Sequence, residues 1–152
     1  MRLCVVPCGS LKIWDRNPNA GPVKARNAYI GNFAKTCIEY AEKFYPESYV
    51  ILSARYGFLF PDEIVPENYN VTFKDPKTRP ISIEELRTQA EEKGLTKYSE
   101  IVVVAGKDYV KIVEKVFTGR EIITPLKGLG GMGQMISAMK KAIKKGVDLV
   151  HL

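Results

Sequence analysis

The chain has 152 residues, of which 45% are hydrophobic and 26% charged, with a net charge of +6. That length fits one domain burying roughly two thirds of its unfolded surface, and that composition excludes a disordered chain. The positive balance permits an anionic partner such as nucleic acid. The cysteines Cys4, Cys8 and Cys37 lack metal-ligand spacing, and the single histidine, His151, is near the end of the chain. A zinc site and a histidine-based catalytic triad are therefore excluded, and neither a metal nor a cofactor is expected. The chain opens on a strand pattern without a signal peptide, and no apolar run approaches the roughly 20 residues of a membrane span. A cytoplasmic protein with no membrane partner is expected.

Arg2-Leu3-Cys4-Val5-Val6-Pro7 is a continuous apolar run, the pattern of a strand covered on both faces. Cys8-Gly9-Ser10 and the segment Leu11–Asp15 follow, then the turn-rich Arg16–Pro22. From Val23 the spacing predicts a helix with Ala28, Phe33, Ala34, Cys37, Tyr40, Ala41 and Phe44 on one face, stopped by Pro46. Tyr49–Ser53 reads as a second buried strand. A long, shaped loop follows, in which Gly57 is expected to supply positive φ or close backbone approach. Ser82 and Glu85 form a capping-box pattern that starts a helix, with Ile83, Leu86 and Ala90 inward and Gly94 as its stop. Glu100–Ala105 is the third strand, followed by a helix bearing Val110, Val113, Val116 and Phe117. Glu121–Thr124 is the fourth strand. After the glycine-rich Pro125–Gly133, a last helix of about Gly133–Lys145 carries Met135, Ile136, Met139, Ala142 and Ile143 on one stripe. Strands alternating with helices predict a single α/β domain over 1–152, a three-layer α/β/α sandwich with a four-stranded parallel sheet.

In such a sheet all strand C-termini face one edge, where open α/β sheets keep their ligand sites. Four loops converge there: Cys8–Asp15, Ser53–Tyr69, Gly106–Tyr109 and Lys127–Gly133. Cys8, Gly9, Ser10 and Lys12 suit an anion such as phosphate, or else form a plain tight turn with a solvated lysine. Their spacing is not that of a Walker sequence, which excludes a P-loop NTPase. Arg26 opens the first predicted helix, where a cation is unfavourable unless it meets an anion. Arg55 can hold a phosphate bidentately and Tyr56 can stack on a base. In the alternative, Arg55 pairs with Asp62 or Glu63 and only pins the loop. Asp15, Ser53 and Asp62 are the catalytic candidates. Tyr69, Lys107, Gly128 and Gly130 complete the binding candidates. Lys140, Lys141, Lys144 and Lys145 read as a solvated helix end.

Three stretches resemble a family of small, largely uncharacterised microbial domains. They are Val5-Val6-Pro7-Cys8-Gly9-Ser10 with Lys12, Ala25-Arg26-Asn27-Ala28-Tyr29-Ile30-Gly31, and Leu52-Ser53-Ala54-Arg55-Tyr56-Gly57-Phe58-Leu59 with Pro66 and Tyr69. Pro125-Leu126 and Gly128-Leu129 match its C-terminal element. The C-[GS]-x-x-K opening also resembles the domain that accompanies archaeosine tRNA-guanine transglycosylases. That resemblance implies a uracil-DNA-glycosylase-like fold with a parallel sheet in the order 2-1-3-4. The G-x-D-P-Y sequence and late histidine motif of true uracil-DNA glycosylases are absent here. The resemblance implies an enzyme acting at the N-glycosidic bond of a nucleoside, nucleotide or nucleic-acid base, with tRNA among its expected partners. The alternative is a non-catalytic nucleic-acid-binding module.

Overall fold

A computed structural model of the chain describes residues 1–151; Leu152, the last residue of the expected domain, and the side chain of His151 lie outside the described residues. The first apolar run forms β1 (Arg2–Pro7), and the second forms β3 (Tyr49–Ser53), buried along its whole length. Between them lie α1 (Ile13–Arg16), β2 (Val23–Lys24), α2 (Ala25–Ala28) and α3 (Asn32–Phe44). The long loop holds β4 (Gly57–Leu59) and β5 (Ile64–Val65). The rest is α4 (Ile83–Glu92), β6 (Glu100–Val103), α5 (Lys107–Val116), β7 (Glu121–Ile123) and α6 (Met132–Lys145).

The main sheet has the order β4-β3-β1-β6-β7. β1 pairs in parallel with both β3 and β6, with Val5 opposite Val50 on one side and Val103 on the other. β6 pairs in parallel with β7. Because strand side chains alternate faces, the apolar runs divide between two cores. Cys4, Val6, Ile51, Val102 and Val104 pack into the cluster that includes Cys37 and Ala41 of α3 and Met139 of α6. Leu3, Val5, Leu52, Ile101 and Val103 pack with Leu86 of α4 and Val113 of α5. Helices therefore cover both faces of a mostly parallel sheet. Among the described residues no helix is long and apolar enough to cross a membrane.

Three local expectations are corrected. The sheet has five strands rather than four, because the chain reverses after Ala54-Arg55-Tyr56 and β4 pairs antiparallel to β3. Gly57 makes that reversal possible. Its φ is +76°, and a Cβ there would lie 2.2 Å from Oε1 of Gln89. The helix expected from Val23 is interrupted. Val23–Lys24 is a strand paired with Ile64–Val65, and the long helix starts only at Asn32. At the break Tyr29 is extended, bridges to Lys12, and turns its ring inward. The third correction is the loop, which the pairing of β2 with β5 folds back against α2.

Candidate active site

The C-terminal ends of β1, β3 and β6 bring Cys8, Lys12, Ser53, Tyr69 and Tyr109 together, with Tyr29 joining from the helix break. Lys12 is 4% exposed, unusual for a lysine outside an ion pair. Its ammonium donates to the backbone oxygen of Ser10 at 3.2 Å and stands 4.4 Å from the centre of the Tyr69 ring. Burial pulls its pKa below the ordinary lysine value, although Cys8 and Asp15 pull the other way. The backbone N–H of Lys12 donates to Asp15 at 2.8 Å, and the Asn68 amide donates to the other oxygen of Asp15 at 3.1 Å. Those two donors hold the Asp15 carboxyl below the usual carboxylate value, so it is ionised at neutral pH.

Beside the cation lies a row of hydroxyls joined through Tyr69. Tyr69 shares a hydrogen bond of 2.5 Å with Tyr29 and one of 2.7 Å with Ser53. Ser53 is fully buried, and its oxygen also accepts the backbone N–H groups of Arg55 and Tyr56 at 3.2 and 3.1 Å. Across the strand ends, the Tyr109 hydroxyl is 3.3 Å from Sγ of Cys8 and donates to the backbone oxygen of Cys8 at 3.2 Å. Burial pushes the Tyr29 phenol up to about 12 and pushes Tyr69 and Tyr109 up as well. All three are neutral donors and acceptors at physiological pH.

Arg55 is exposed, with its guanidinium 5.4 Å from the Tyr56 ring centre and 6.0 Å from that of Tyr69. Tyr56 and Tyr69 meet edge to face at 5.4 Å. Two cations thus lean on one phenol ring. Among the described residues neither Lys12 nor Arg55 forms an ion pair.

The Family of unknown function (DUF6884) matches residues 4–141. The chain belongs to DUF6884. It is also 42% identical over 149 residues to the "Uncharacterized protein YfjM" of Bacillus subtilis (strain 168), a match covering 97% of this chain and 99% of that protein.

In this DUF6884 member the remaining sequence candidates scatter. Arg26 bonds to Asp62 at 3.0 Å and to Glu42 at 2.7 Å, and Lys24 approaches Asp62 at 3.8 Å. Glu42 in turn accepts from Tyr49, the first residue of β3, so this group occupies the opposite sheet edge from Lys12. Asp62 and Arg26 are therefore not brought to Asp15. Glu63 pairs with Lys93. The two carboxylates proposed as partners for Arg55 are both engaged elsewhere. Ser53 is brought to the cluster, but as the anchor of a turn and a phenol rather than as an exposed hydroxyl. Gly9 and Ser10 shape the turn before Lys12, whereas Lys107, Gly128 and Gly130 are exposed at the starts of α5 and α6. Tyr109 and Asn68 were missed by sequence reasoning. Only the placement of Tyr109 in a converging loop pointed to it; Asn68, beside Tyr69, carried no signal of its own.

Proposed function

We propose that the protein is an enzyme that acts at the N-glycosidic bond of a nucleoside, nucleotide or nucleic-acid base, tRNA included. The observation that carries this reading is the pair of cations, Lys12 and Arg55, on the Tyr69 ring, neither of them in an ion pair among the described residues. A buried ammonium is unfavourable without an anion, and a guanidinium beside it suits bidentate phosphate recognition. Asp15, held ionised next to them, acts as general base. It takes a proton from water as the water oxygen bonds to the anomeric carbon; the base departs with the bond electrons and takes a proton from solvent, and Asp15 returns its proton to solvent. The partly exposed Tyr56 offers a stacking surface, while Tyr69 is buried and supports the cations. The order β3-β1-β6-β7 of the parallel strands supports relation to uracil-DNA-glycosylase-like folds. Three free thiols fit a cytoplasmic location.

The test is a panel of nucleosides, nucleotides and tRNA, with bound ligand and released free base both measured. Binding that Arg55→Ala weakens about tenfold or more is expected. A protein that neither binds nor cleaves any member of the panel would refute the reading.

A second reading, a non-catalytic nucleic-acid-binding module, is favoured by α6. Over Met132–Lys145 it has no acidic residue, and Lys140, Lys141, Lys144 and Lys145 are exposed. It requires RNA or DNA affinity that falls steeply with salt and is indifferent to Arg55→Ala.

A further inference from the structure

One cleft is joined to the cation site through the hydrogen bond of Asn68 to Asp15. The cleft measures about 300 Å³ and is lined by Trp14, Pro18, Gly21, Pro66, Glu67 and Asn68. That volume is at the small end for ligand pockets and has room for one planar ring system. Its walls combine an indole with two proline rings. The indole is fixed, because Trp14 is 6% exposed and its Nε1 donates to the backbone oxygen of Gly21 at 2.8 Å. Fixed apolar walls of this kind hold a flat ring with little ordering on binding.

The polar wall makes the connection. Asn68 donates to Asp15, and its own side-chain oxygen accepts the backbone N–H of Tyr69 at 2.9 Å. Asp15 is tied to Lys12 through the backbone N–H of that residue. Asp15 therefore stands between a cleft of mixed polar and apolar lining and two cations outside any ion pair. A ligand spanning both would place its linking atoms beside an ionised carboxylate.

We propose that the Trp14 cleft binds the heteroaromatic ring of a ligand whose anionic group lies on Lys12 and Arg55, a mononucleotide-like arrangement of ring, linker and phosphate. This rests on the anion-binding part of the reading above and places the ring in the Trp14 cleft instead of on Tyr56. It assigns ring binding to Trp14, Pro18 and Pro66, none of which approaches the hydroxyl cluster by hydrogen bonds.

The chain has one tryptophan, and it lines this cleft, so tryptophan emission is that of Trp14. The experiment titrates AMP, GMP, CMP and UMP, with ribose 5-phosphate as the ringless control, following both Trp14 emission and calorimetric binding. The expected result is a saturable emission change with at least one nucleotide, and no change with ribose 5-phosphate. Pro66→Ala, at an exposed wall position, should weaken that nucleotide about threefold to tenfold and leave ribose 5-phosphate unaffected. Arg55→Ala should weaken both. Nucleotide binding that depends on Arg55 but leaves Trp14 emission unchanged and ignores Pro66→Ala overturns the ring assignment and leaves the anion site standing. If neither the nucleotides nor ribose 5-phosphate bind, the anion reading fails and the ring assignment falls with it.

Discussion

The two edges of the central sheet handle positive charge in opposite ways. At the edge where the parallel strands begin, three cations near the sheet have carboxylates. Arg2 meets Glu100 at 3.2 Å, Arg26 meets both Glu42 and Asp62, and Lys93 meets Glu63. At the edge where the strands end, Lys12 and Arg55 have a phenol ring and no ion pair. The first edge closes those three charges within the chain. The second is left positive, and it is the second that gathers the hydroxyls, the ionised Asp15 and the Trp14 cleft. Cations paired within the chain support the fold, whereas cations left over are available to something outside it.

The largest test of that contrast removes the support. Tyr69→Ala deletes a buried ring under both cations and strands two hydroxyls, and should lower unfolding stability by about 3–5 kcal/mol in denaturant melts. Tyr69→Phe keeps the ring and should lower it by only about 1 kcal/mol. Next comes a swap between the edges. Lys12→Met removes a buried charge that is in no ion pair, so stability should hold or rise while phosphate affinity drops about tenfold. Arg26→Met should do the reverse, lowering stability by up to about 1 kcal/mol with phosphate affinity unchanged. Equal effects of the two substitutions on binding would erase the distinction between the edges.

The smallest effects are those of pH. The folded pKa of Lys12 lies below its ordinary value of 10.5, so the unfolded state holds the proton longer. Stability should therefore rise with pH in the window between the lowered value and 10.5, while phosphate affinity falls across the same window. Lys12→Met should flatten both. Asp15 behaves oppositely. Its folded pKa is below the ordinary 3.8, so its contribution is present above 3.8 and is lost as pH falls through the lower value. Acid melts of Asp15→Asn against the parent chain measure that loss.

Much of the framework was legible because fully buried strands and helix stripes leave long periodic signals. Val5-Val6 and Val102-Val103 could only be strands in a covered sheet, and the Ser82–Glu85 box is present with reciprocal bonds. What escaped was short or non-local. Gly57-Phe58-Leu59 is three residues, too few to show a period, and its pairing is set by Gln89 from a distant helix. The break at Tyr29 runs against a good helical pattern, because an inward phenol and a bridge to Lys12 outweigh local propensity. In the site, the loop convergence was readable from topology. The sorting of charges was not, since Arg26 meets Asp62 across 36 positions of sequence and spacing encodes no such match.

Gln89 has a consequence of its own. From α4 on the far face, its amide donates to the backbone oxygen of Tyr56 at 2.8 Å and accepts the N–H of Phe58 at 2.6 Å. The turn carrying Arg55 is thus clamped from two sides, by Ser53 below and by a helix side chain beyond the edge strand. Its backbone is held by hydrogen bonds within the chain itself. Only the arginine side chain itself remains to be ordered on binding, so a small, singly charged ligand can be held without a loop having to close over it.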